Sequence, residues 1–350
     1  MSTTTPLTQA MTPAMTQASD ETIAAAADEL AAGGLVAFPT ETVYGLGARA
    51  DDDAAVARIF DAKGRPHEHP LIVHVASLAA AEDFAHSLSR DARALMQACW
   101  PGPLTLIVPR RPGRAAAAAG GQDSIGLRMP AHPVALALLH AAAQRGVAGV
   151  AAPSANRFGR VSPTTAAHVR DEFGPALTVL DGGACDVGIE STIVDCTRAQ
   201  PVLLRPGVLS RTAIAALLGR ELQERDAASP RASGTLEAHY APRAKVRLFD
   251  AAALASALAS ALASAGPVPG AFAMGVAVYS RSPAAASART AGHVRLHRTM
   301  PDNAAAAAHE LFAVLRELDA AGVSEIWVQE PPDSPEWEGV RDRLKRAAAA

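Results

Sequence analysis

The segment that most constrains the fold is residues 37–75, in which two short apolar runs enclose a polar turn, a helical pattern and a basic loop. The first run stops at Pro39 and the second covers residues 71–75, so both are predicted to be buried strands. Between them, apolar residues recur at helical spacing and predict one buried helix face. This strand–helix–strand order indicates an α/β fold.

Polar side chains stand where the predicted strands of residues 21–219 end. They are Thr40, Thr42, Arg128, Ser154, Asn156 and Arg205. Ligands of α/β proteins bind at the ends of strands and in the loops that follow them. The pattern therefore predicts one binding pocket at this edge of the sheet.

Two cations flank a glycine in the basic loop, Lys63-Gly64-Arg65. The planar fork of an arginine and the point charge of a lysine suit a polyanion. An isolated pair of this kind more often only favours the C-terminus of a helix. Because this loop lies between two predicted buried strands and other polar clusters follow, the polyanion interpretation gains weight.

Structural roles compete with ligand binding at other polar positions. Ser154 and Asn156 are typical of an Asx or Ser turn. Ser162, which precedes a proline, predicts the N-cap of a helix that runs to residue 173, although a helix N-terminus also presents free N–H groups to phosphate. His74, set among aliphatic residues, is typical of a core histidine.

Composition argues against several classes of protein. A net charge of −3 and the lack of a Lys/Arg run give no general attraction to nucleic acid or to an anionic membrane. The cysteines Cys99, Cys185 and Cys196 lack metal-ligand spacing and predict reduced core thiols. Residues 1–20 have no basic or apolar targeting region, so we expect a disordered tail and a cytoplasmic protein.

A linker and a second domain are predicted after residue 219. Residues 220–244 are charged, then rich in Ser, Pro and Gly, and lack periodicity. Residues 245–350 alternate between strand and helix patterns, which predicts a small Rossmann-like α/β domain without a GxGxxG or P-loop nucleotide site. Earlier in the chain, residues 110–122 predict a flexible loop, either a functional flap or a variable connection.

Taken in order, the motifs resemble one family. They resemble the YrdC-type domain of threonylcarbamoyl-AMP synthases. The motifs are PTETVYGLG from Pro39, AKGRP from Ala62, PLIVHV from Pro70, WPGPLTLIVP from Trp100, SIGLRMPAH from Ser124, APSAN from Ala152, GIESTIVD from Gly188 and LLRPG from Leu203. HYAP from His239 resembles the linker of the long, two-domain members. The resemblance covers residues 25–219 and implies a YrdC-like twisted mixed sheet with helices over residues 21–219.

The resemblance implies ATP-dependent adenylyl transfer. L-Threonine and bicarbonate form N-carboxythreonine, whose carboxylate attacks the α-phosphorus of ATP to give threonylcarbamoyl-AMP and pyrophosphate. Because this nucleophile is already anionic, the reaction needs alignment and charge neutralisation rather than a Ser-His-Asp set. Mg²⁺ is expected to arrive with ATP, with Glu41 as the nearest carboxylate. The product is expected to feed the tRNA threonylcarbamoyl-transfer machinery, without direct tRNA binding.

The resemblance also implies roles for individual residues. The expected catalytic residues are Lys63 and Arg65. The expected ATP-binding residues are Arg65, His69, Ser124, Ser154, Asn156, Ser162, Arg205 and Tyr240. The expected threonine-binding residues are Thr42 (preferred over Thr40), His74, Arg128, Ala152 and Ser191. His69 and Ser124 depart from the family pattern, in which Asn and Thr are common. Tyr240 is expected to close as a lid over the nucleotide, the alternative being a plain X-Pro tether.

Two other functions remain open. An RNA-binding YrdC-type module without synthase activity would need a basic face and a steep salt dependence. A carbamoyl-transfer domain of the hydrogenase-maturation type would be accompanied by zinc-finger and acylphosphatase modules, and the chain has no Cys-rich segment.

Overall fold

The computed structural model describes residues 18–264, 275–282, 285 and 294–350. The helices are α1 (Asp20–Ala31), α2 (Asp53–Lys63), α3 (Leu78–Phe84), α4 (Arg90–Cys99), α5 (Pro133–Ala143), α6 (Ala166–Phe173), α7 (Arg211–Leu218), α8 (Ala251–Ser264), α9 (Ala304–Ala320) and α10 (Glu338–Ala348). Residues 1–17 of the expected tail lie outside the described residues. So do residue 265, the last of a helix predicted over residues 251–265, and residue 274, the first of a strand predicted over residues 274–279.

The strands belong to two sheets. They are β1 (Val36–Phe38), β2 (Gly45–Arg49), β3 (Ile72–His74), β4 (Leu104–Pro109), β5 (Ser124–Arg128), β6 (Val150–Ala151), β7 (Thr178–Val179), β8 (Thr192–Asp195), β9 (Val202–Arg205), β10 (Gln223–Glu224), β11 (Lys245–Phe249), β12 (Val276–Ser280), β13 (Val294–Thr299) and β14 (Glu325–Gln329). The first sheet has the order β10-β9-β8-β4-β5-β3-β6-β2-β1-β7 and mixes parallel and antiparallel pairs. The second, β11-β14-β12-β13, is parallel throughout. The expected fold class is confirmed.

The large sheet lies between two apolar layers. Successive strand residues point to opposite faces, and Val36 and Phe38 join one core cluster whereas Ala37 joins the other. Toward its β9 edge, isoleucines of β3, β4 and β8 form a further cluster against Ala232, in the segment that follows β10. The predicted linker therefore covers part of the sheet.

The two sheets share a core. The cluster that contains Leu311 and Phe312 of α9 also contains Val43, Val161 and Ile189 from the loops of the first sheet. Buried apolar contact of this kind stabilises a fixed arrangement by about 25 cal/mol per Å² removed from water. The second sheet and its helices are thus packed onto the loops beside the predicted pocket.

The expectation that a helix begins at Ser162 is wrong. Helix α6 begins at Ala166, and its N-cap is Thr165, whose Oγ1 accepts a hydrogen bond from the backbone N–H of His168 at 3.3 Å. Ser162 is fully buried, and its hydroxyl donates to Glu190 Oε1 at 2.5 Å. A distant carboxylate therefore engages the hydroxyl that local sequence assigned to a cap.

The expectation of a flexible loop at residues 110–122 is also wrong. Ala115, Ala118 and Ala119 in this segment are buried, and the carbonyl of Ala118 accepts a hydrogen bond from the N–H of Leu71 at 2.7 Å. The small alanine side chains let the segment pack closely against the start of β3. None of the helices in the described parts of the chain combines the length and the apolar character needed to cross a membrane.

Candidate active site

A cavity lies where strands of the large sheet end and the predicted linker crosses them. Its lining includes residues of the β1–β2 loop, β3, β5, β9 and the linker. It also includes residues of the APSAN loop (residues 152–156) and of the GIEST loop (residues 188–192). They are Thr40, Val43, Gly45, Arg65, Ile72, His74, Arg128, Ala152, Pro153, Ser154, Glu190, Ser191, Arg205, Ser233, Gly234, His239 and Tyr240. Most of the positions singled out from the sequence are thus brought to one place.

Arg65 and Arg205 bring positive charge to this cavity. Arg65 is 8% exposed and donates to the carbonyl of Pro70 at 3.0 Å, while its Nε has no hydrogen-bond partner. Arg205, the last residue of β9, donates to the carbonyls of Ser191 (2.9 Å) and Ser233 (2.9 Å). No carboxylate oxygen of the described residues lies within 4.0 Å of either guanidinium. Burial lowers the pKa of Arg65 to about 10. Two cations without an acidic partner suit an anionic ligand.

Lys63 lies behind the cavity wall. Its ammonium donates to the backbone carbonyls of Ser154, at 2.6 Å, and of Asn156. Burial, with Arg65 nearby, holds the pKa of Lys63 well below its usual range. Asn156 is not part of the lining and donates through Nδ2 to the carbonyl of Arg160 at 2.9 Å. Lys63 thus supports the APSAN loop, of which Ala152, Pro153 and Ser154 line the cavity.

Arg128 and His74 line the same cavity, at the ends of neighbouring parallel strands in register. Arg128 pairs with Glu41, with 2.8 Å between Nη2 and Oε1, and its Nε donates to the carbonyl of Gly102 at 3.3 Å. Burial, then the charge of Arg128, lowers the pKa of His74 to about 3, so the imidazole is neutral at pH 7. This end of the cavity combines an arginine fork with a neutral hydrogen-bonding ring.

The β1–β2 loop presents Thr40 rather than the preferred Thr42. Thr40 lines the cavity, and its hydroxyl hydrogen-bonds to that of Thr42 at 2.8 Å and to the carbonyl of Val43 at 2.6 Å. Thr42 is fully buried and lies outside the lining. Only Thr40 is therefore placed to touch a ligand directly.

Three other expected nucleotide contacts are not part of this lining. His69 lies at an adjoining cavity that Arg65 also lines, with its ring 5.5 Å from that of Phe158. Ser124 begins β5, at the opposite end of the strand from Arg128. Ser162 reaches the site through its bond to Glu190.

The predicted linker forms one wall of the cavity. Tyr240 is 1% exposed, has a positive φ of 62° and packs against Phe312 of α9 at a ring distance of 5.3 Å. Its hydroxyl has no hydrogen-bond partner, and burial raises the pKa of that hydroxyl to about 12. The backbone of Gly234 passes close to Tyr240 and Arg205. A Cβ at this position would overlap the Tyr240 hydroxyl and would lie 2.8 Å from Arg205 Nη1.

Sequence reasoning missed Glu190 and Arg343. Glu190 lines the cavity and pairs with Arg343 of α10 at 2.8 Å. The GIEST motif contains Glu190 and offered a signal for it, whereas no motif marked Arg343. Among the described residues, no group of three or more His, Cys, Asp or Glu side chains is placed to hold a metal ion. Glu190, which lines the cavity, pairs with Arg343, and Glu41, which lies outside the lining, pairs with Arg128.

Comparison with known families gives two matches. Residues 28–207 match the Sua5/YciO/YrdC family, described as telomere recombination, and residues 209–349 match the C-terminal domain of threonylcarbamoyl-AMP synthase. The threonylcarbamoyl-AMP synthase of Pyrococcus abyssi is 44% identical over 220 residues, which cover 61% of this chain and 64% of that protein. The Bacillus subtilis protein of the same name is 42% identical over 236 residues, covering 65% and 67%.

Solved structures of Pyrococcus abyssi Sua5 are similar over most of the chain. A variant with a histidine and a tyrosine replaced by alanine superposes with a TM-score of 0.83 at 34% identity, covering 94% of this chain and 93% of that one. The same protein in complex with L-threonine gives a TM-score of 0.82 at 34% identity, covering 94% and 95%.

Proposed function

The chain belongs to the Sua5/YciO/YrdC family, and on that premise we propose that it is an L-threonylcarbamoyladenylate synthase. It joins L-threonine, bicarbonate and ATP into threonylcarbamoyl-AMP, with release of pyrophosphate and water. The observation that supports this most is the convergence of Arg65 and Arg205, which lack a carboxylate partner, with Arg128 and His74 in one buried cavity. Such a cavity suits an anionic nucleotide beside a small amino acid.

The threonine site is proposed at the Arg128 end. Arg128 lines the cavity, and its pairing with Glu41 through Nη2 holds the side chain in place, so we propose that its other guanidinium N–H groups bind the carboxylate of threonine. His74, Ala152 and Ser191 line the same cavity as Arg128 and are proposed to contact the rest of the amino acid. Thr42 orients Thr40 through their shared hydrogen bond.

The triphosphate is proposed at the opposite end, between Arg65 and Arg205, with Ser154 at its side and Tyr240 above it. The carboxylate of N-carboxythreonine attacks the α-phosphorus, the bond to the β-phosphate oxygen breaks, and pyrophosphate leaves. Preorganised cations stabilise the charge that develops on the phosphate oxygens. Lys63 and Asn156 act on the conformation of the APSAN loop rather than on the nucleotide itself.

Mg²⁺ is proposed to enter with the triphosphate. The carboxylate that lines the cavity, Glu190, is held by Arg343, and the phosphate oxygens of ATP are ligands of the kind that Mg²⁺ prefers. The metal would neutralise phosphate charge alongside Arg65 and Arg205.

The product is proposed to serve tRNA threonylcarbamoylation in the cytoplasm. The competing RNA-binding function requires an outward-facing basic surface. Arg65 and Arg205 face a cavity whose lining is mostly buried rather than an outward surface, which favours a nucleotide over RNA.

Mass spectrometry of the protein incubated with ATP, L-threonine and bicarbonate tests the proposal. Threonylcarbamoyl-AMP should appear only when all three are present. Pyrophosphate release that does not depend on threonine, or a complete mixture without product, would contradict it.

A further inference from the structure

Arg343 carries a charge from the C-terminal helix to the edge of the cavity. It lies in α10, is 0% exposed, and is the largest fully buried side chain among the described residues. Its Nε donates to Glu190 Oε2 at 2.8 Å, its Nη1 to the carbonyl of Pro206 at 2.8 Å, and its Nη2 to the carbonyl of Glu190 at 3.2 Å. The guanidinium thus holds both the side chain and the backbone of the GIEST loop.

Glu190 would otherwise be a buried anion in an anion-binding cavity. Its second carboxylate oxygen accepts from Ser162, and the side chain is 7% exposed. Arg205 lines the same cavity and binds the carbonyl of Ser191, the next residue. Besides Arg343, Arg205 is the cation whose charge favours the ionised form of Glu190 and lowers its pKa.

We propose that Arg343 is a positioning residue for the adenylation reaction: by neutralising Glu190 it keeps Arg205 available for the phosphates of ATP. This inference rests on the proposed function. The chemistry needs net positive charge opposite the triphosphate, and an uncompensated carboxylate at 7% exposure would oppose it. The C-terminal domain therefore completes the electrostatics of the site.

The same guanidinium also supports the linker. Its Cζ lies 5.4 Å from the centre of the Tyr240 ring, a distance typical of a cation–π contact. The Asp342 carboxylate also accepts a hydrogen bond from Arg343, at 2.9 Å, and it accepts another from Arg346. Arg343 therefore connects the two walls of the cavity that contain Glu190 and Tyr240.

The test measures pyrophosphate release by the full-length protein at varied ATP. Arg343→Met should raise the KM for ATP about tenfold, because it leaves a buried carboxylate uncompensated beside the anion site. The KM for L-threonine should change much less. The double variant E190Q/R343M removes the carboxylate as well, so its KM for ATP should return most of the way to the wild-type value. Arg341→Met is the matched control, since Arg341 lies on the same helix but pairs with Asp333 at 3.3 Å.

A purely structural role predicts a different result. It would lower the thermal unfolding midpoint and the amount of active enzyme, with an unchanged KM for ATP in R343M and no recovery in the double variant, and that result would overturn the proposal. If R343M does not fold, Arg343→Lys and Arg343→Gln decide the matter. Neutralisation predicts a raised KM only for Gln, and equal values for the two overturn it.

The outcome also separates this inference from the proposed function. A wild-type protein that forms no threonylcarbamoyl-AMP overturns both. An active wild-type protein whose R343M variant keeps its KM for ATP overturns only the role of Arg343.

Discussion

Arg65 is the residue whose removal should affect the reaction most directly. Its guanidinium lines the cavity without a carboxylate partner. Arg65→Ala should lower kcat/KM by about two orders of magnitude, or about 3 kcal/mol, as for the loss of one preorganised electrostatic donor. Pyrophosphate release measures this. Arg93→Ala, which removes only a surface pair with Glu82, is the control. A rate for Arg65→Ala within twofold of wild type would remove Arg65 from the mechanism.

His74 should make the protein less stable in acid. Burial lowers its pKa to about 3 in the folded state, whereas the unfolded side chain titrates near pH 6.5. Between these values only the unfolded chain binds the proton, so the contribution to stability is complete above about pH 6.5 and is lost as the pH falls toward 3. His74→Gln should therefore reduce the slope of unfolding free energy against pH by about 1.4 kcal/mol per pH unit in that window.

Denaturant titrations between about pH 5 and pH 7 measure that slope. Identical slopes for wild type and His74→Gln would show that the histidine is accessible to protons in the folded protein.

At the scale of single residues, the sequence predicts where a side chain lies in the fold better than it predicts which groups that side chain contacts. Strand ends correctly pointed to Arg128, Ser154 and Arg205 as neighbours, because strand ends of one sheet meet at one edge. The partner of Ser162, by contrast, lies 28 residues away in the chain. Local capping rules cannot include such a partner.

Among the elements, the GIEST loop and helix α9 approach closely. Gly188 has a φ of 82°, and a Cβ there would overlap the backbone oxygens of Ala308 and His309. His309 also contacts this loop, with 2.8 Å between its Nδ1 and the carbonyl oxygen of Asp186. The loop that presents Glu190 and Ser191 is thus seated on α9 through backbone contact.

Gly188→Ala should therefore disturb both stability and activity. The added methyl group must push the loop from the helix, which should lower the unfolding free energy by about 3 kcal/mol. Gly183→Ala is the matched control, because Gly183 has a similar φ of 86° with no atom near the added Cβ. It should lose only about 1 kcal/mol of backbone strain. Equal losses in chemical denaturation would argue against the close contact.

Element boundaries were predicted well where a cap is local. α2 ends at Gly64, the glycine of the basic loop, and α7 ends at Gly219, after which the linker was predicted; both glycines are left-handed. The segment over residues 110–122 was misjudged because its alanines bury against β3, and alanine-rich composition does not distinguish a packed segment from a mobile one.

Across the whole molecule, a change of pattern predicted two parts joined by a linker, but nothing in the sequence predicted how the two sheets pack together. Arg343 lies 153 residues from Glu190, in a helix that carries no recognisable motif. A buried ion pair between distant elements depends on how two sheets pack, and neither sequence periodicity nor local charge reports that packing.

The packing of the two parts should make the isolated first part a poor enzyme. A chain ending at Gly219 lacks the linker wall and Arg343, and it exposes Val43, Val161 and Ile189. We expect at least a tenfold rise in the KM for ATP, because Glu190 is left uncompensated, and faster hydrolysis of the product, because water reaches it.

A chain ending at residue 244 is the control: it restores the linker without α9, against which Tyr240 packs. If anchoring by the C-terminal domain matters, this longer chain should be nearly as impaired as the shorter one, with circular dichroism showing that both fold. Full turnover by the chain ending at Gly219 would contradict a role for both, and recovery in the longer chain alone would assign the role to the linker itself.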